Sequence, residues 1–205
     1  MALANSPARY GSVAMTLHWL IAGALILNIC LGVVMSEVLP DRDITRLAIL
    51  QLHKSVGLTV LTLSLARLVW RLANPVPPLP SSMPARMRIA ARATHFLLYF
   101  VIIAIPLTGW ALVSSSRTGS PTIYFGLFHW PHISFLANMP SDQKAPLHRN
   151  FNRIHAYLPF STIPLVLIHV AGAFYHQRRG DDVLRRMLPE LRKLPEVHEV
   201  SRSGR

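Results

Sequence analysis

The sequence is poor in the residues on which disulfide, cluster and acid–base chemistry depend. Its single cysteine, Cys30, lies in an apolar stretch, which excludes an intramolecular disulfide and a four-cysteine iron–sulfur cluster. No Cys-x-x-Cys-His motif is present for covalent attachment of a haem, and no glycine-rich phosphate loop or Ser/His/Asp arrangement is found. Asp and Glu together number only 9, against 21 Lys and Arg. Any metal centre must therefore depend on histidine, of which the chain has 10.

Long hydrophobic runs, by contrast, make up most of the chain. Hydrophobic residues account for 51% of the sequence and the mean hydropathy is +0.35, which indicates a membrane protein. Four apolar stretches are long enough to cross a bilayer of about 30 Å as helices, near residues 13–36, 47–72, 90–114 and 150–177. The sequence therefore predicts an all-α, integral membrane four-helix bundle over residues 1–180, followed by a basic tail, residues 181–205.

The net charge of +12 is unevenly distributed along the chain. Lys and Arg gather between spans 2 and 3 and after span 4, whereas the two opposite connections carry fewer of them. This positive-inside pattern predicts that both termini lie in the cytoplasm. Because no basic–aromatic recognition motif accompanies the charge, nucleic acid is not an expected partner.

Four histidines stand inside the apolar stretches, where ionisable residues are functional candidates by default. They are His18, His53, His155 and His169. The last two are fourteen residues apart in one span, which places them about 21 Å apart and on one helix face. With the N-terminus inside, His18 meets His169 at the inner depth, and His53 meets His155 at the outer depth. Two metal centres stacked across the membrane are therefore expected.

Haem is the cofactor that suits two such pairs. Its iron takes two axial imidazoles, and its apolar macrocycle fits the interior of a bundle in lipid. A structural zinc ion would want about four close ligands, whereas each depth supplies only two histidines. A proton relay would need acidic partners, and the predicted spans contain none.

Two further residues lie on the ligand faces of their helices. Gly32 follows His18 by fourteen residues and is predicted to leave room for the outer macrocycle; ordinary small-residue helix packing is the alternative. Arg67 follows His53 by the same interval and is predicted to pair with a propionate of the inner haem. A snorkelling arginine at the end of a span is the alternative for that residue.

Two other histidines are candidates for binding a quinone at the cytoplasmic side. His176 lies seven residues beyond His169, on the same face and at the mouth of the bundle. His95 lies early in span 3, where a structural histidine with a satisfied ring is the alternative. For His176 the alternative is a surface residue in a basic run.

Three segments outside the predicted spans have distinct compositions. The proline-dense segment 74–84 is expected to be extended. The aromatic segment 124–135 is expected at the membrane surface, either as an aromatic belt or as a lid over the outer centre. Residues 181–194 carry apolar side chains at helical spacing between basic ones, which suits an interfacial amphipathic segment or a frayed tail.

Several of these stretches resemble the bacterial cytochrome b561 family. They are "TLHWLIAG" in span 1, "LHKSVGLTVLTLSLARLVWRL" in span 2, the proline-rich loop, and "IHAYLPFSTIPLVLIHVAGAFYHQ" in span 4, and the resemblance covers about residues 8–190. It implies four membrane helices that hold two b-type haems and exchange electrons with ubiquinone in the bacterial inner membrane. The axial ligands that it implies are His18, His53, His155 and His169.

The resemblance also implies a more specific activity. The members of the family studied for function are similar to superoxide oxidases. Such enzymes take electrons from superoxide at the outer face and reduce ubiquinone. His176 matches a position implicated at the quinone site, whereas an accompanying lysine of the proline-rich loop has no counterpart, because "PLPSSMP" carries serines. A positive outer mouth formed by Lys54, Arg149 and Arg153 would steer superoxide.

Two other functions and the oligomeric state stay open at this point. The chain could be a cytochrome b subunit that relays electrons for a partner dehydrogenase. A haem or metal transporter is the other alternative, although the spans lack the paired broken helices of a transporter site.

Overall fold

Four long helices account for most of the residues that the structure describes. The computed structural model describes residues 2–40, 43–80 and 82–188. The helices are α1 (Ser12–Val33, extended by a π-helical turn, Val34–Val38), α2 (Ile44–Ala73), α3 (Ala85–Ser114) and α5 (Ser141–Arg178). All four are long and apolar enough to cross a membrane, which confirms the prediction of an all-α membrane protein with four spans.

The helix boundaries follow from local sequence. Asp43 caps α2, since its carboxylate accepts a hydrogen bond from the backbone N–H of Thr45 at 2.7 Å, and the hydrogen bonds from Thr45 lower the pKa of Asp43. Pro84 and Pro140 precede α3 and α5, where a proline fits because the first N–H groups of a helix have no partner. Helix α5 begins at Ser141 rather than near residue 150, because residues 141–149 are polar yet able to form a helix. The apolar stretch is therefore shorter than the helix that contains it.

The helices pack in the order α1–α2–α3–α5. Within the described residues α5 lies close along α3, and its backbone makes only sparse contact with α1 and α2. An apolar cluster of Ile21, Val101, Ile102 and Ile105 fills the middle of the bundle. Large apolar side chains such as Phe96 are exposed on the outer surface, as is expected where a helix faces lipid.

Prolines interrupt two of the helices. Pro106 lies inside α3, and Pro146, Pro159 and Pro164 lie inside α5. Each proline lacks the N–H that would bond to the carbonyl four residues earlier, so each leaves a gap in the backbone ladder. Two of these gaps, at Pro159 and Pro164, fall between His155 and His169.

A β-hairpin covers one end of the bundle, which we name the hairpin end. Its strands are β1 (Thr122–Tyr124) and β2 (Phe128–Trp130), paired antiparallel with Ile123 opposite His129. Phe125 and Gly126 both have positive φ in the turn, which glycine adopts at no steric cost. The short helix α4 (Ser134–Ala137) follows. The aromatic segment expected at the membrane surface is thus a folded hairpin.

The opposite end, where α1 begins and α5 ends, is named the terminal end. Residues 75–80 are free of helix and strand, consistent with an extended proline-rich loop. Residues 181–188 form turns and one short 3-10 helix, Arg185–Met187, instead of an amphipathic helix. They fold back on the bundle, since Trp19 Nε1 donates to Met187 O at 2.8 Å and an Arg186 nitrogen donates to Pro78 O at 2.8 Å. The remainder of the predicted amphipathic segment, from residue 189 onwards, lies outside the described residues.

Candidate haem centres

His53 and His155 face each other near the hairpin end, and we name them the hairpin-end pair. Their ring centroids are 6.0 Å apart and their planes are inclined by 79°. His53 Nδ1 lies 3.1 Å from Asn28 O, and His155 Nδ1 lies 3.0 Å from Ile105 O. A ring nitrogen that donates to a carbonyl fixes the tautomer and leaves Nε2 as the nitrogen that can bind a metal.

A glycine lies against each ring of the hairpin-end pair. A Cβ added at Gly32 would come within 3.3 Å of His53 Cε1, and a Cβ at Gly109 would come within 2.8 Å of His155 Cε1. The second distance is shorter than real Cβ atoms adopt, so only glycine fits beside this ring as it stands. Gly32 therefore lies at the hairpin-end pair, and its role in leaving room for a macrocycle stays a prediction, whereas Gly109 is not among the predicted residues.

His18 and His169 face each other near the terminal end, and we name them the terminal-end pair. Their ring centroids are 6.1 Å apart, with planes inclined by 70°. His95 is in edge contact with His169, with centroids 5.0 Å apart, and its Nδ1 lies 2.6 Å from Ala91 O. The structure therefore places His95 beside the terminal-end pair, and its role in binding a quinone stays a prediction.

Arg67 also lies near the terminal end, as its spacing predicted. Its Nε donates to the Tyr99 hydroxyl at 3.0 Å, and a terminal nitrogen donates to Ala14 O at 3.3 Å. The guanidinium of Arg71 lies over the same Tyr99 ring, 5.5 Å from its centroid. These contacts hold Arg67 within the bundle, so it does not extend freely to the membrane surface. Its pairing with a propionate stays a prediction.

One interval, fourteen residues, relates the two levels in every long helix. The pairs of positions are His18 and Gly32, His53 and Arg67, His95 and Gly109, and His155 and His169. The hairpin-end level thus combines two histidines with two glycines. The terminal-end level combines three histidines with an arginine.

Both facing pairs have the separation that an axially ligated metal requires. With a metal–nitrogen bond of about 2 Å and a nitrogen about 1 Å from its ring centroid, two imidazoles on opposite sides of one ion have centroids about 6 Å apart. The backbone of α5 makes only sparse contact with α1 and α2, so the two rings of each pair reach towards each other from helices that are not closely packed. Among the described residues no group of three or more His, Cys, Asp or Glu side chains is arranged to hold a metal ion. The residues therefore fit a bis-histidine haem.

Each end of the bundle also carries a polar cluster. At the hairpin end, Gln51, Lys54 and Ser55 of α2 bond to the hairpin, with Lys54 Nζ donating to Pro121 O at 3.3 Å and Phe125 N donating to Ser55 Oγ at 3.0 Å. The hairpin is therefore fastened to α2 on both sides of His53.

At the terminal end, His176 meets two residues that the sequence analysis did not single out. Its Nδ1 lies 2.8 Å from Asp181 Oδ2, and Ser82 Oγ donates to Asp181 Oδ1 at 2.8 Å. The hydrogen bond from His176, and then that from Ser82, lowers the pKa of Asp181. No periodicity could have revealed this cluster, because it joins a helix end to a loop far away in the sequence.

A bundle of four membrane-crossing helices that encloses two facing pairs of histidines is the architecture of a b-type membrane cytochrome. The family model described as prokaryotic cytochrome b561 matches residues 9–190, and the chain belongs to this family. Membership makes it a multi-pass haem protein of electron transport.

Curated relatives agree with this assignment. The chain is 34% identical to "Cytochrome b561 homolog 2" of Escherichia coli (strain K12) over 190 residues, which cover 92% of this chain and 95% of the relative. It is 25% identical to "Cytochrome b561 homolog 1" of the same organism, covering 88% and 97%. It is 29% identical to "Probable superoxide oxidase CybB" of Yersinia pestis over 142 residues, covering 69% and 75%.

Proposed function

We propose that the chain is a di-haem cytochrome b that carries electrons across the bacterial inner membrane to ubiquinone. The observation that carries the proposal is the presence of two facing histidine pairs, with centroids 6.0 and 6.1 Å apart, at two levels of one bundle. One haem b at each level supplies reversible one-electron transfer at iron.

The chain's own residues have separate roles at the hairpin-end level. His53 and His155 bind the iron through Nε2, while the carbonyls of Asn28 and Ile105 hold their rings in orientation. Gly32 and Gly109 allow those rings to lie directly against the backbones of α1 and α3. The hairpin covers this level and restricts access from the hairpin end.

At the terminal-end level, His18 and His169 bind the second iron. Arg67, held by Tyr99 and Ala14 O, offers a positive charge to a propionate of that haem. His176 lies beyond this level, in the last turn of α5, where ubiquinone can reach it from the membrane.

The orientation follows from the distribution of Lys and Arg. The terminal end carries the Arg-rich segments, so we place both termini in the cytoplasm and the hairpin on the outer side. Electrons then enter at the hairpin end and leave at the terminal end.

Superoxide is the proposed electron donor. The name of the Yersinia pestis relative refers to superoxide oxidation, and Lys54, Arg149 and Arg153 contribute positive charge at the hairpin end that attracts an anion. Two superoxide ions would each lose one electron and leave as dioxygen, while one ubiquinone takes up both electrons and two protons.

Two measurements on the purified protein test the proposal. Haem quantitation with a reduced-minus-oxidised spectrum should give two low-spin b haems per chain, and superoxide generated in the cuvette should drive ubiquinone reduction. One haem per chain would contradict the di-haem assignment. Two haems with quinone reduction only in the presence of a copurifying subunit would instead favour a cytochrome b subunit of a dehydrogenase.

A further inference from the structure

The cluster of His176, Asp181 and Ser82 is built by the end of helix α5. Gly180 has φ +80°, a left-handed conformation that glycine adopts readily and that commonly ends a helix. The chain reverses there, and Asp181 N donates to His176 O at 3.0 Å. This turn places the carboxylate of Asp181 back against the ring of His176, with Nδ1 and Oδ2 2.8 Å apart.

The carboxylate is held from two sides. Its Oδ2 accepts from His176 of α5, and its Oδ1 accepts from Ser82 of the loop between α2 and α3. The side chains of His176 and Asp181 are only 12% and 11% exposed. Two bonds to a largely buried carboxylate fix both its position and that of the ring.

Among the groups around His176 and Asp181, none replaces the contact between the two side chains. The ring of Tyr175 contacts His176 edge-on, with centroids 5.2 Å apart, and the charge of Arg179 acts on Asp181. The next carboxylate, Asp182, turns away, since it accepts from Gln177 at 3.3 Å and pairs with Arg185 at 3.6 Å.

We propose that Asp181 and Ser82 are positioning residues for His176, which they hold with Nε2 free to donate a proton to ubiquinone. The proposal rests on the proposed function and assigns roles to two residues beyond it. Because Nδ1 donates to the carboxylate, the tautomer is fixed, and Asp181 offsets the positive charge of the ring whenever it carries two protons.

The chemistry balances with the electrons that the cytochrome delivers. Ubiquinone takes two electrons and two protons to become ubiquinol. For one proton, the Nε2–H bond of the doubly protonated His176 ring breaks as an O–H bond forms on a quinone oxygen, which leaves a neutral ring with its proton on Nδ1. The ring then regains its Nε2 proton from cytoplasmic water. The second proton comes from water. The lowered pKa of Asp181 keeps its carboxylate ionised during this cycle.

Stopped-flow reoxidation of the haems tests the roles of the two residues. The holoprotein, reduced beforehand with dithionite, is mixed with a short-chain ubiquinone over a range of concentrations in H2O and in D2O. Asp181→Asn should lower the maximal rate at least about tenfold and raise the solvent isotope effect, because proton donation becomes limiting. The quinone concentration at half-maximal rate should stay within about twofold of wild type, since a positioning residue does not bind the quinone.

A second variant and a matched control complete the design. Ser82→Ala should lower the rate about threefold to tenfold, the scale of one lost hydrogen bond. Asp182→Asn removes the adjacent carboxylate and should behave as wild type, and the haem content of each variant reports its folding. If Asp181→Asn does not retain haem, the reoxidation rate of Ser82→Ala tests the positioning role instead.

The possible results distinguish a failure of the positioning role from a failure of the proposed function. If ubiquinone does not reoxidise the haems of the wild-type protein, the proposed function itself is wrong. Slow reoxidation in His176→Ala, with wild-type rates and isotope effects in Asp181→Asn and Ser82→Ala, would overturn only the positioning role. A loss confined to quinone affinity in these two variants would also overturn it, because it would make them binding residues.

Discussion

Replacing Gly109 with alanine should remove one haem and leave the other. The new Cβ would lie 2.8 Å from His155 Cε1, whereas ordinary carbon contacts are about 3.5–4.0 Å, so the ring would have to retreat by about 0.7 Å. The ring is tied to α3, with Nδ1 3.0 Å from Ile105 O and 3.2 Å from Thr108 Oγ1. Such a retreat would stretch the shorter contact to about 3.7 Å, beyond a hydrogen bond.

Alanine variants of two other glycines should have smaller effects on haem content than Gly109→Ala. At Gly32 the added Cβ would lie 3.3 Å from His53 Cε1 and needs a shift of only a few tenths of an ångström, while at Gly23 nothing lies within 4 Å. Alanine favours a helix over glycine by about 0.8–1.0 kcal/mol, so propensity destabilises none of the three variants. Haem content should therefore fall towards one per chain in Gly109→Ala, stay near two with weaker retention in Gly32→Ala, and remain two in Gly23→Ala.

The assay is haem quantitation combined with a redox titration of each purified variant. The titration identifies which haem is lost, because the terminal-end haem should keep its midpoint potential. Two fully retained haems with wild-type potentials in Gly109→Ala would refute the assignment of His155 as a haem ligand held in this position.

Further predictions concern the histidine pairs, the topology and Arg67. Alanine at either member of the hairpin-end pair should remove that haem alone, and alanine at either member of the terminal-end pair should remove the other; unchanged haem content in all four variants would exclude the pairing. In a variant without Cys30, an impermeant thiol reagent applied to intact cells should label Ser120→Cys but not Ala85→Cys, and the reverse would invert the orientation. Arg67→Ala should lower the potential of the terminal-end haem by on the order of 50 mV, about tenfold in the redox equilibrium, because a nearby positive charge favours the reduced form. A redox titration measures this shift, and Arg67→Lys should largely restore the potential.

Hydropathy and helical spacing were sufficient to predict the bundle and much of its interior. The four spans follow from apolar runs, and the fourteen-residue interval led to Gly32 and Arg67. The same interval applied to His95 leads to Gly109, so that residue was within reach of the sequence. The interval was applied only to the four predicted ligands, whereas His95 was interpreted as a quinone-binding or a structural histidine.

Other features depend on contacts that no sequence pattern encodes. Helix α5 continues through polar residues 141–149, which hydropathy excludes from a membrane span. The hairpin depends on positive φ at Phe125 and Gly126 and on bonds to α2. Asp181 contacts His176 only because the chain reverses direction at Gly180. Ser82, which also contacts Asp181, belongs to a loop about one hundred residues earlier in the chain.

Helix α5 supplies one histidine to each pair, and this arrangement bears on how the two centres influence each other mechanically. In an unbroken helix, a shift at His155 would move His169 as part of the same rigid rod. Pro159 and Pro164 lie between them and leave the carbonyls of His155 and Phe160 without their usual helical donors. The two halves of the helix can therefore bend relative to each other, so that His155 and His169 can each shift without displacing the other.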